Sequence, residues 1–420
     1  MSNLLEELQW RGLIAQHTDI EQLKKALNEQ SVTFYCGFDP TAPSLHHGHL
    51  VQLILMRHLQ KAGHKPLALV GGATGLIGDP RMSGERTLNP KDIVASWSEK
   101  LKEQIEKFLS FEGENAARMV NNYEWTSQLS AIDLLRDLGK HFRMGTMLAK
   151  DNVSRRLKSD EGISYTEFSY QVLQGNDFLQ LYKKYGCTLQ TGGNDQWGNL
   201  VSGMDLIRKT EGKSVNVMTT PLITKSDGTK FGKSEGGAIW LNPDMFSPYA
   251  FYQFWLGTED ADVIHFLKVF TFVPREEIEQ MEKEVAERPH LRLAQKLLAK
   301  QVTTMVHGAK QCKQVIDASQ ALWGTGDLHD IDAQTLLSAV AQLPTGKSKI
   351  GDNLVDMLIA TGLEKGRSAA RRTIESGGVY LNNEKIVDED YALNDKDILA
   401  GDIVLIRKGK RNLAVVKLEK

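Results

Sequence analysis

The sequence has few cysteines, no strong excess of either charge and no long apolar segment. Its three cysteines, Cys36, Cys187 and Cys312, form no paired motif, which argues against a disulfide framework and favours a reducing compartment. The formal net charge of −2 excludes a uniformly basic surface, so any nucleic-acid contact must come from local clusters. No run of about twenty apolar residues appears, and the amphipathic N-terminal segment does not resemble a signal peptide. We therefore expect a cytoplasmic protein without a membrane partner.

β-rich segments alternate with helical ones, which is typical of an α/β protein. Residues 31–38 are β-rich, residues 48–62 have apolar positions at helical spacing, and residues 64–75 resemble a buried strand entering a glycine loop. Strand, helix and strand within about 40 residues predict a right-handed parallel crossover.

His46, His47 and His49 lie at the start of this predicted helix. On a helix His46 and His49 share a face, whereas His47 points away from it. A zinc site usually needs three or four ligands, and metalloprotease helices carry a glutamate between histidines four residues apart, which is lacking here. Histidines at a helix N-terminus can instead donate to a phosphate. The alternative is that one histidine caps the helix and the others are packed or solvated.

Gly72, Gly75 and Gly78 have the spacing with which nucleotide-sugar epimerases and related reductases begin. That fingerprint must open a long helix whose N-terminus holds the pyrophosphate. Here residues 79–84, Asp-Pro-Arg-Met-Ser-Gly, interrupt any such helix, and no tyrosine is followed four residues later by lysine. The sequence therefore disfavours an oxidoreductase.

Lys230 and Lys233 lie in a loop rich in glycine, lysine and serine, residues 224–237. Two ammonium groups on a mobile, glycine-hinged loop can close over a polyphosphate and neutralise the charge that develops on it. By itself such a segment could be an ordinary solvated basic loop. Its combination with the histidine element is more specific than either part.

The two elements resemble the signatures of class I aminoacyl-tRNA synthetases, His-His-Gly-His at 46–49 and Lys-Phe-Gly-Lys-Ser at 230–234. Other segments make the chain similar, nearly end to end, to the bacterial tyrosyl-tRNA synthetases. These segments are residues 35–49, 69–80, 163–178, 192–199, 221–237 and 247–255. The tail, residues 352–417, is similar to a small RNA-binding module shared with a ribosomal small-subunit protein and pseudouridine synthases.

The resemblance implies an α/β fold with a Rossmann-like parallel-sheet catalytic domain, an α-helical domain and a small α+β RNA-binding module. The implied divisions are a catalytic domain with a dimer-forming insertion over 1–220, a mobile loop region over 221–246, an α-helical domain over 247–330, a linker over 331–351 and the RNA-binding module over 352–420. A homodimer that acts on L-tyrosine, ATP and tyrosine tRNA is also implied. Mg²⁺ is expected with the pyrophosphate, and no metal held tightly by the protein is expected.

Site residues follow from the resemblance position by position. The catalytic set is Thr41, His46, His49, Lys230 and Lys233. The tyrosine-binding set is Tyr35 and Asp177 for the phenol, Tyr170, Gln174 and Asp79 for the ammonium group, and Gln196. The ATP-binding set is Cys36, Gly37, Asp39, Gly48, Gly193, Asp195, Lys233 and Ser234. The RNA-binding set is Lys365, Arg367, Arg371, Arg372, Arg407, Lys408, Lys410 and Arg411.

These residue types suit adenylate formation. An amino-acid carboxylate is already ionised at neutral pH, so its attack on the α-phosphate of ATP needs no general base. Catalysis then consists of positioning and charge stabilisation, which histidines, lysines, a threonine and helix dipoles can supply.

Three positions depart from the family's pattern. His47 replaces an apolar residue, and we expect it to be packed or solvent-exposed, away from the phosphates. The loop after Asp79-Pro80 lacks the family's phosphate-contacting lysine, and either Arg81 or Arg86 could supply that charge. Asn194 stands where serine is common.

Two other functions remain open at this point. A tryptophanyl-tRNA synthetase is the nearest rival, but it lacks the pair formed by Tyr35 and Asp177 and usually lacks this tail. A non-catalytic RNA-binding protein built on a synthetase scaffold is the other, and the intact histidines and lysines of the two signatures argue against it.

Overall fold

The structure, a computed structural model, describes residues 4–81, 84–229, 231–234, 237–322, 326–409 and 412–419; of Asp151, Lys233 and Ser234 it describes the backbone. The chain divides into two compact units. The first comprises Met1–Asn242 and Glu259–Ala294, and the second comprises Pro243–Thr258 and Gln295–Lys420.

The elements up to residue 242 mix strands and helices, with a run of helices between residues 123 and 185. In chain order they are α1 (Leu4–Trp10), β1 (Gln16–His17), α2 (Ile20–Glu29), β2 (Thr33–Phe38), α3 (His47–Lys61), β3 (Lys65–Val70), α4 (Lys91–Ile105), β4 (Arg118–Asn121), α5 (Tyr123–Thr126), α6 (Ala131–Asp133), α7 (Met144–Leu148), α8 (Asp151–Leu157), α9 (Tyr165–Tyr185), β5 (Leu189–Gly193), α10 (Trp197–Glu211), β6 (Asn216–Thr220), β7 (Lys233–Ser234) and β8 (Gly237–Ala238).

The later elements are mostly helical up to residue 340, and strands then dominate. They are α11 (Pro248–Leu256), α12 (Asp260–Phe270), α13 (Arg275–Glu287), α14 (Leu293–His307), α15 (Ala309–Ala321), α16 (Ala333–Val340), β9 (Thr345–Ser348), α17 (Leu354–Ala360), α18 (Arg367–Glu375), β10 (Val379–Leu381), β11 (Glu384–Ile386), β12 (Ile403–Lys408) and β13 (Asn412–Leu418).

The first unit contains a sheet with strand order β1-β6-β5-β2-β3-β4. β2 pairs in parallel with β3 on one side and with β5 on the other, and β1 alone runs antiparallel, against β6. The crossover predicted from residues 31–75 is thus present. Because parallel strands place their carboxyl ends at one edge, the residues after β2, β3, β4 and β5 meet there, where ligands bind in such sheets.

Helices α9 and α10 pack against this sheet and against each other at glycines. A Cβ atom on Gly203 would lie 3.2 Å from Phe178 Cβ and 3.5 Å from Gly175 Cα. The close approach brings the α9 side chains into the main core of the unit, where Phe178 is fully buried. The packing of α9 therefore determines where its polar side chains lie.

The second unit contains a sheet with strand order β11-β10-β12-β13-β9. Alternate residues of β12 face two cores. Val404 and Ile406 pack with α17 and α18, whereas Ile403 and Leu405 pack with residues of α15 and α16.

The prediction of a linker over 331–351 is wrong. This segment contains α16 and the edge strand β9, which pairs in parallel with β13. The polar, glycine-containing sequence of β9 resembles a linker, but Gly346 is there because the packing of the strand leaves no room for a side chain. A Cβ there would lie 3.0 Å from the Ala360 carbonyl carbon. Nor do residues 247–330 form a separate helical domain, because Glu259–Ala294 groups with the first unit.

None of the helices in the described residues is both long and apolar enough to cross a membrane.

Arg11 anchors the segment after α12 inside the first unit. Its guanidinium is 3% exposed and donates to the carbonyls of Lys268, Thr271 and Val273 at 2.8–3.2 Å, while its Nε donates to Glu7 at 2.7 Å. These bonds satisfy carbonyl groups at a helix C-terminus that would otherwise lack donors.

We predict that Arg11→Met lowers the free energy of unfolding of the first unit by about 3 kcal/mol, because it leaves buried carbonyls and a carboxylate unpaired. Urea unfolding followed by tryptophan fluorescence measures this loss. Arg136→Met, which breaks a surface pair with Asp137, is the matched control and should change stability little. Equal losses in the two variants would contradict the anchoring role.

Candidate active site

Three polar side chains of α9 face the sheet. Tyr170, Gln174 and Asp177 are spaced by four and three residues, so they lie on one side of the helix. The helix begins at the cap Ser164, whose side chain accepts from the Glu167 N–H, and ends at Gly186 in the left-handed conformation.

Asp177 is a buried carboxylate, 2% exposed, held by two donors from the segment after β4. Asn122 Nδ2 donates to it at 2.9 Å and Trp125 Nε1 at 2.8 Å. Burial raises the pKa of Asp177 to about 7, and the two hydrogen bonds partly oppose that rise. Neither Asn122 nor Trp125 was predicted from the sequence, although their position after a parallel strand was a usable signal.

Tyr35 lies beside this carboxylate on β2. Its hydroxyl is buried and forms no hydrogen bond with any described residue. Burial, and then the nearby charge of Asp177, raise the pKa of Tyr35 well above its ordinary value. A buried hydroxyl without a partner is costly, so an arrangement of this kind suits a ligand that completes the hydrogen bond.

Asp39 connects Tyr170 with the glycine loop after β3. It accepts from Tyr170 Oη at 2.8 Å and from Thr74 Oγ1 at 2.7 Å, and Thr74 in turn accepts from Asn122. Gly71 makes the close approach possible, because a Cβ there would lie 1.9 Å from Asp39 Oδ1. A chain of hydrogen bonds therefore links Asp39 to Asp177.

Asp79 is held from the other side of the site. It accepts from Gln196 Nε2 at 2.8 Å and from Asn199 Nδ2 at 3.1 Å, and Asn199 also accepts from Lys150 Nζ at 2.7 Å. Burial raises the pKa of Asp79 to about 6 and lowers the pKa of Lys150 to about 7. Neither Asn199 nor Lys150 was predicted as a site residue from the sequence.

The first signature motif, residues 46–49, caps the N-terminus of α3. His46 Nδ1 accepts from the Gly48 N–H at 3.1 Å, His49 Nδ1 accepts from the His46 N–H at 3.2 Å, and the two rings stack with centroids 4.0 Å apart. Burial lowers the pKa of His49 well below its ordinary value. Because both Nδ1 atoms accept from backbone N–H groups, Nε2 is the ring nitrogen left to carry a proton in each histidine. Capping and phosphate donation, treated as alternatives above, are therefore compatible.

His47 contacts the second signature instead. Its Nε2 lies 3.1 Å from the Phe231 carbonyl oxygen, and its ring meets the Phe231 ring edge-on. Gly232, with φ of +81°, abuts the imidazole, since a Cβ there would lie 2.0 Å from the ring. Of the two expectations for His47, packing and solvent exposure, these contacts favour packing.

The remaining predicted residues lie at the same sheet edge or outside the described residues. Cys36, whose pKa burial raises to about 12, and the exposed Gly37 are on β2, and Thr41 and Gly48 are exposed near the start of α3. Gly193 ends β5 beside the exposed Asp195, whose Oδ1 would lie 2.5 Å from a Cβ on that glycine. Lys230 lies outside the described residues, and the backbones of Lys233 and Ser234 form β7.

Arg81 and Arg86 differ in their surroundings. Arg86 Nε donates to the Asp79 carbonyl at 2.6 Å, whereas Arg81 is exposed. The nearby charge of Arg86 lowers the pKa of Arg81, so the two guanidinium groups form a local concentration of positive charge beside Asp79.

Comparison with known proteins identifies the family. A family model described as "tRNA synthetases class I (W and Y)" matches residues 27–324, and one described as "Tyrosine–tRNA ligase SYY-like C-terminal domain" matches residues 335–416. The tyrosine–tRNA ligase of Streptomyces coelicolor is 57% identical over 419 residues, covering 100% of this chain and 99% of the relative. This chain belongs to the tyrosine–tRNA ligase family. The resemblance inferred from its motifs is confirmed.

Other members and solved structures agree with this assignment. The tyrosine–tRNA ligase of Bifidobacterium longum is 58% identical over 426 residues, covering 99% of this chain and 97% of the relative. A C-terminally truncated mitochondrial tyrosyl-tRNA synthetase from Aspergillus nidulans has a TM-score of 0.68 at 31% identity, covering 75% of this chain and 92% of its own. A tryptophanyl-tRNA synthetase from Encephalitozoon cuniculi, at 13% identity and a TM-score of 0.54 over 74% of this chain and 87% of its own, shares the fold only.

In this member of the tyrosine–tRNA ligase family, the basic residues predicted to bind RNA differ in how they are engaged. Lys408 donates to Glu364 at 2.8 Å inside the second unit, so its charge is neutralised there. Arg367 and Arg371 pair with exposed Asp356 and Glu389. The exposed Lys365 and Arg372 lie near them on or beside α18, Arg407 stacks on Tyr380, and Lys410 and Arg411 lie outside the described residues.

We predict that Trp125→Phe raises the pKa of Asp177 further, because the ring is kept while a donor to the ionised carboxylate is lost. A ¹³C NMR titration of aspartate-labelled protein, with the Asp177 signal assigned by Asp177→Asn, measures the shift. Trp10→Phe, far from this carboxylate in the sequence and in contact with Arg11, Lys268 and Arg275, is the control. An unchanged Asp177 pKa in Trp125→Phe would show that the Trp125 hydrogen bond does not stabilise the ionised carboxylate.

Proposed function

We propose that this protein activates L-tyrosine with ATP and then transfers it to the terminal ribose of tyrosine tRNA. In the first step a tyrosine carboxylate oxygen bonds to the α-phosphorus of ATP and pyrophosphate leaves. In the second step a ribose hydroxyl attacks the tyrosyl carbonyl, and AMP leaves.

The observation that carries the proposal is the buried polar pair of Tyr35 and Asp177. The Tyr35 hydroxyl has no partner among the described residues, and Asp177 is fixed by Asn122 and Trp125. A phenol placed between them would donate to the carboxylate and accept from Tyr35. Phenylalanine would leave both groups unpaired, and its strong rejection is already a well-known property of this type of enzyme.

Acceptor atoms suit the substrate's ammonium group. Because Tyr170 Oη donates its proton to Asp39, its oxygen is left as an acceptor. Gln174 Oε1 is buried without a partner among the described residues, and Asp79 adds a carboxylate. In this arrangement Gln196 and Asn199 orient Asp79, and Gln196 has a positioning role.

The N-terminus of α3 suits the phosphates. We assign the Nε2–H groups of His46 and His49, with Thr41 at the same edge of the sheet, to the charge that develops as pyrophosphate leaves. Lys230 and Lys233 would add positive charge from the second signature. Contacts between His47, Phe231 and Gly232 support this assignment, because they bring the two signatures together.

The nucleotide itself occupies the edge formed by β2 and β5. We propose that Asp195 accepts from the ATP ribose, with Cys36 as a second ribose contact, and that Gly37, Asp39, Gly48, Gly193 and Ser234 line the ATP site. No group of three or more histidine, cysteine or acidic side chains in the described residues is arranged to hold a metal ion. Mg²⁺ would therefore enter as part of the ATP substrate, bound to phosphate oxygens.

For tRNA we propose contact through the phosphate backbone by the second unit's basic residues. The exposed Lys365, Arg367, Arg371 and Arg372 lie just before and along α18, a local cluster sufficient for such contacts in a chain of low net charge. Lys408, being paired with Glu364, would contribute least. We also propose a cytoplasmic location, where tRNA is charged.

The function is tested by ATP–pyrophosphate exchange driven in turn by tyrosine, tryptophan and phenylalanine. We predict exchange with tyrosine and far less with the others. Tyr35→Phe should lower kcat/KM for tyrosine about tenfold, because one hydrogen bond to the phenol is lost, and should not impair phenylalanine activation. Tyr380→Phe, in the second unit, is the control. A folded protein with no exchange, or with equal exchange for tyrosine and phenylalanine, would refute the proposal.

We further propose that the protein is a homodimer. Large apolar side chains are exposed between residues 132 and 165, among them Ile132 at 66%, Leu135 at 57% and Tyr165 at 69%. Exposed apolar groups concentrated in one segment are typical of association surfaces. The segment lies within residues 1–220, the range to which the resemblance assigns a dimer-forming insertion.

For the dimer, analytical ultracentrifugation should give a mass twice that of the 46.9 kDa chain. We predict that Ile132→Glu combined with Leu135→Glu halves this mass, because charges cannot be buried unpaired in such an interface. Ile350→Glu, at an exposed apolar position of the second unit, should leave the mass unchanged. A double variant that still sediments like the wild type would place the interface elsewhere.

A further inference from the structure

The segment that carries Asp79 has little backbone support of its own. Between the turn Thr74–Leu76 and α4, its described residues belong to no helix or strand, and residues 79–81 and 84–89 form no backbone–backbone hydrogen bond with other described residues. Loops of this kind are usually mobile unless side chains hold them. Asp79 nevertheless has to be placed accurately for the ammonium group.

A buried ion pair outside the substrate site supplies the missing support. Arg156 on α8 and Glu167 on α9 are 1% and 2% exposed, with Arg156 Nη2 and Glu167 Oε2 2.9 Å apart. Arg156 Nη1 donates to the carbonyls of Arg81 at 3.3 Å and Gly84 at 2.7 Å. The other Glu167 oxygen accepts from the Arg86 N–H at 3.2 Å.

Arg86 links the ion pair to Asp79 through two hydrogen bonds. Its backbone N–H is bound by Glu167, and its side-chain Nε donates to the Asp79 carbonyl at 2.6 Å. The Asp79 side chain is held separately by Gln196 and Asn199. The aspartate is therefore held from two directions, and one of them depends on the ion pair.

A contribution to folding stability does not by itself explain why this ion pair is buried. Removing two charges from water costs about as much as their attraction returns, and buried pairs can often be replaced by apolar residues without loss. What an apolar pair could not provide is a planar fork of donors that reaches carbonyls of the loop. Arg156 Nε also donates to Gly162 at 2.9 Å, so the fork joins three segments of chain.

We propose that Arg156 and Glu167 are positioning residues that hold residues 79–81 and 84–86 in place, and through Arg86 fix the position of Asp79. The inference rests on the proposed function for its catalytic consequence, whereas its structural part does not. Neither residue touches substrate in this account, and both act through the loop.

The test compares Arg156→Lys and the double variant Arg156→Met/Glu167→Gln with the wild type. Lysine keeps the charge without the fork, and the double variant removes both charges, so neither leaves a lone buried charge. Arg155→Met, at the exposed neighbouring position on α8, is the matched control. Thermal unfolding, hydrogen exchange of the Arg86 amide, and KM and kcat in tyrosine-dependent exchange are measured on each full-length protein.

We expect the double variant to unfold within a few degrees of the wild type, whereas its Arg86 amide, which donates to Glu167 in the wild type, exchanges at least tenfold faster. Its KM for tyrosine should rise about tenfold, with a smaller change in kcat. Arg156→Lys should show the same two changes, and Arg155→Met neither. Normal amide protection or normal KM in a folded Arg156→Lys or double variant would overturn the proposal.

Failure of the proposed function would look different. A wild-type protein without tyrosine-dependent exchange would refute the function, and the amide-exchange comparison would still decide whether Arg156 and Glu167 hold the loop.

Discussion

The buried carboxylate of Asp177 is the constraint around which the first unit is arranged. A charge in the core needs donors, and these come from Asn122 and Trp125 after β4. Asn122 also binds Thr74, which donates to Asp39 after β2. One hydrogen-bond network therefore joins α9 to the ends of three parallel strands. A change in the surroundings of Asp177 would also disturb the ends of these strands.

Several polar groups of the proposed tyrosine pocket are buried at a cost in free energy. The Tyr35 hydroxyl and Gln174 Oε1 are buried without partners in the described residues, and burial raises the pKa values of Asp79 and Asp177 to about 6 and about 7. The two carboxyls oppose folding at neutral pH because their raised pKa values disfavour the charged forms, and the two unpartnered groups oppose it because burial removes their contact with water. Ligand hydrogen bonds would relieve that cost, which favours the cognate substrate over an apolar analogue.

The sequence predicted the elements that depend on local pattern. The strand and helix around His46 follow from alternation and helical spacing, and the absence of a helix after Gly78 follows from the Asp-Pro interruption. The edge strand β9 was missed because its signal is not local. Gly346 and Ser348 are buried through contacts with parts of the chain that periodicity cannot indicate. Family motifs supplied Tyr35 and Asp177, whereas their supporting groups Asn122 and Asn199 emerge only in three dimensions.

The position of His47 has a consequence for how the two signature motifs can vary. Its ring fills the space beside Gly232 and contacts the Phe231 carbonyl oxygen. Any side chain at 232 would collide with the imidazole, and a smaller residue at 47 would open a gap beneath the loop backbone. Across related sequences, substitutions at these two positions should therefore be correlated, although about 180 residues separate them in the chain.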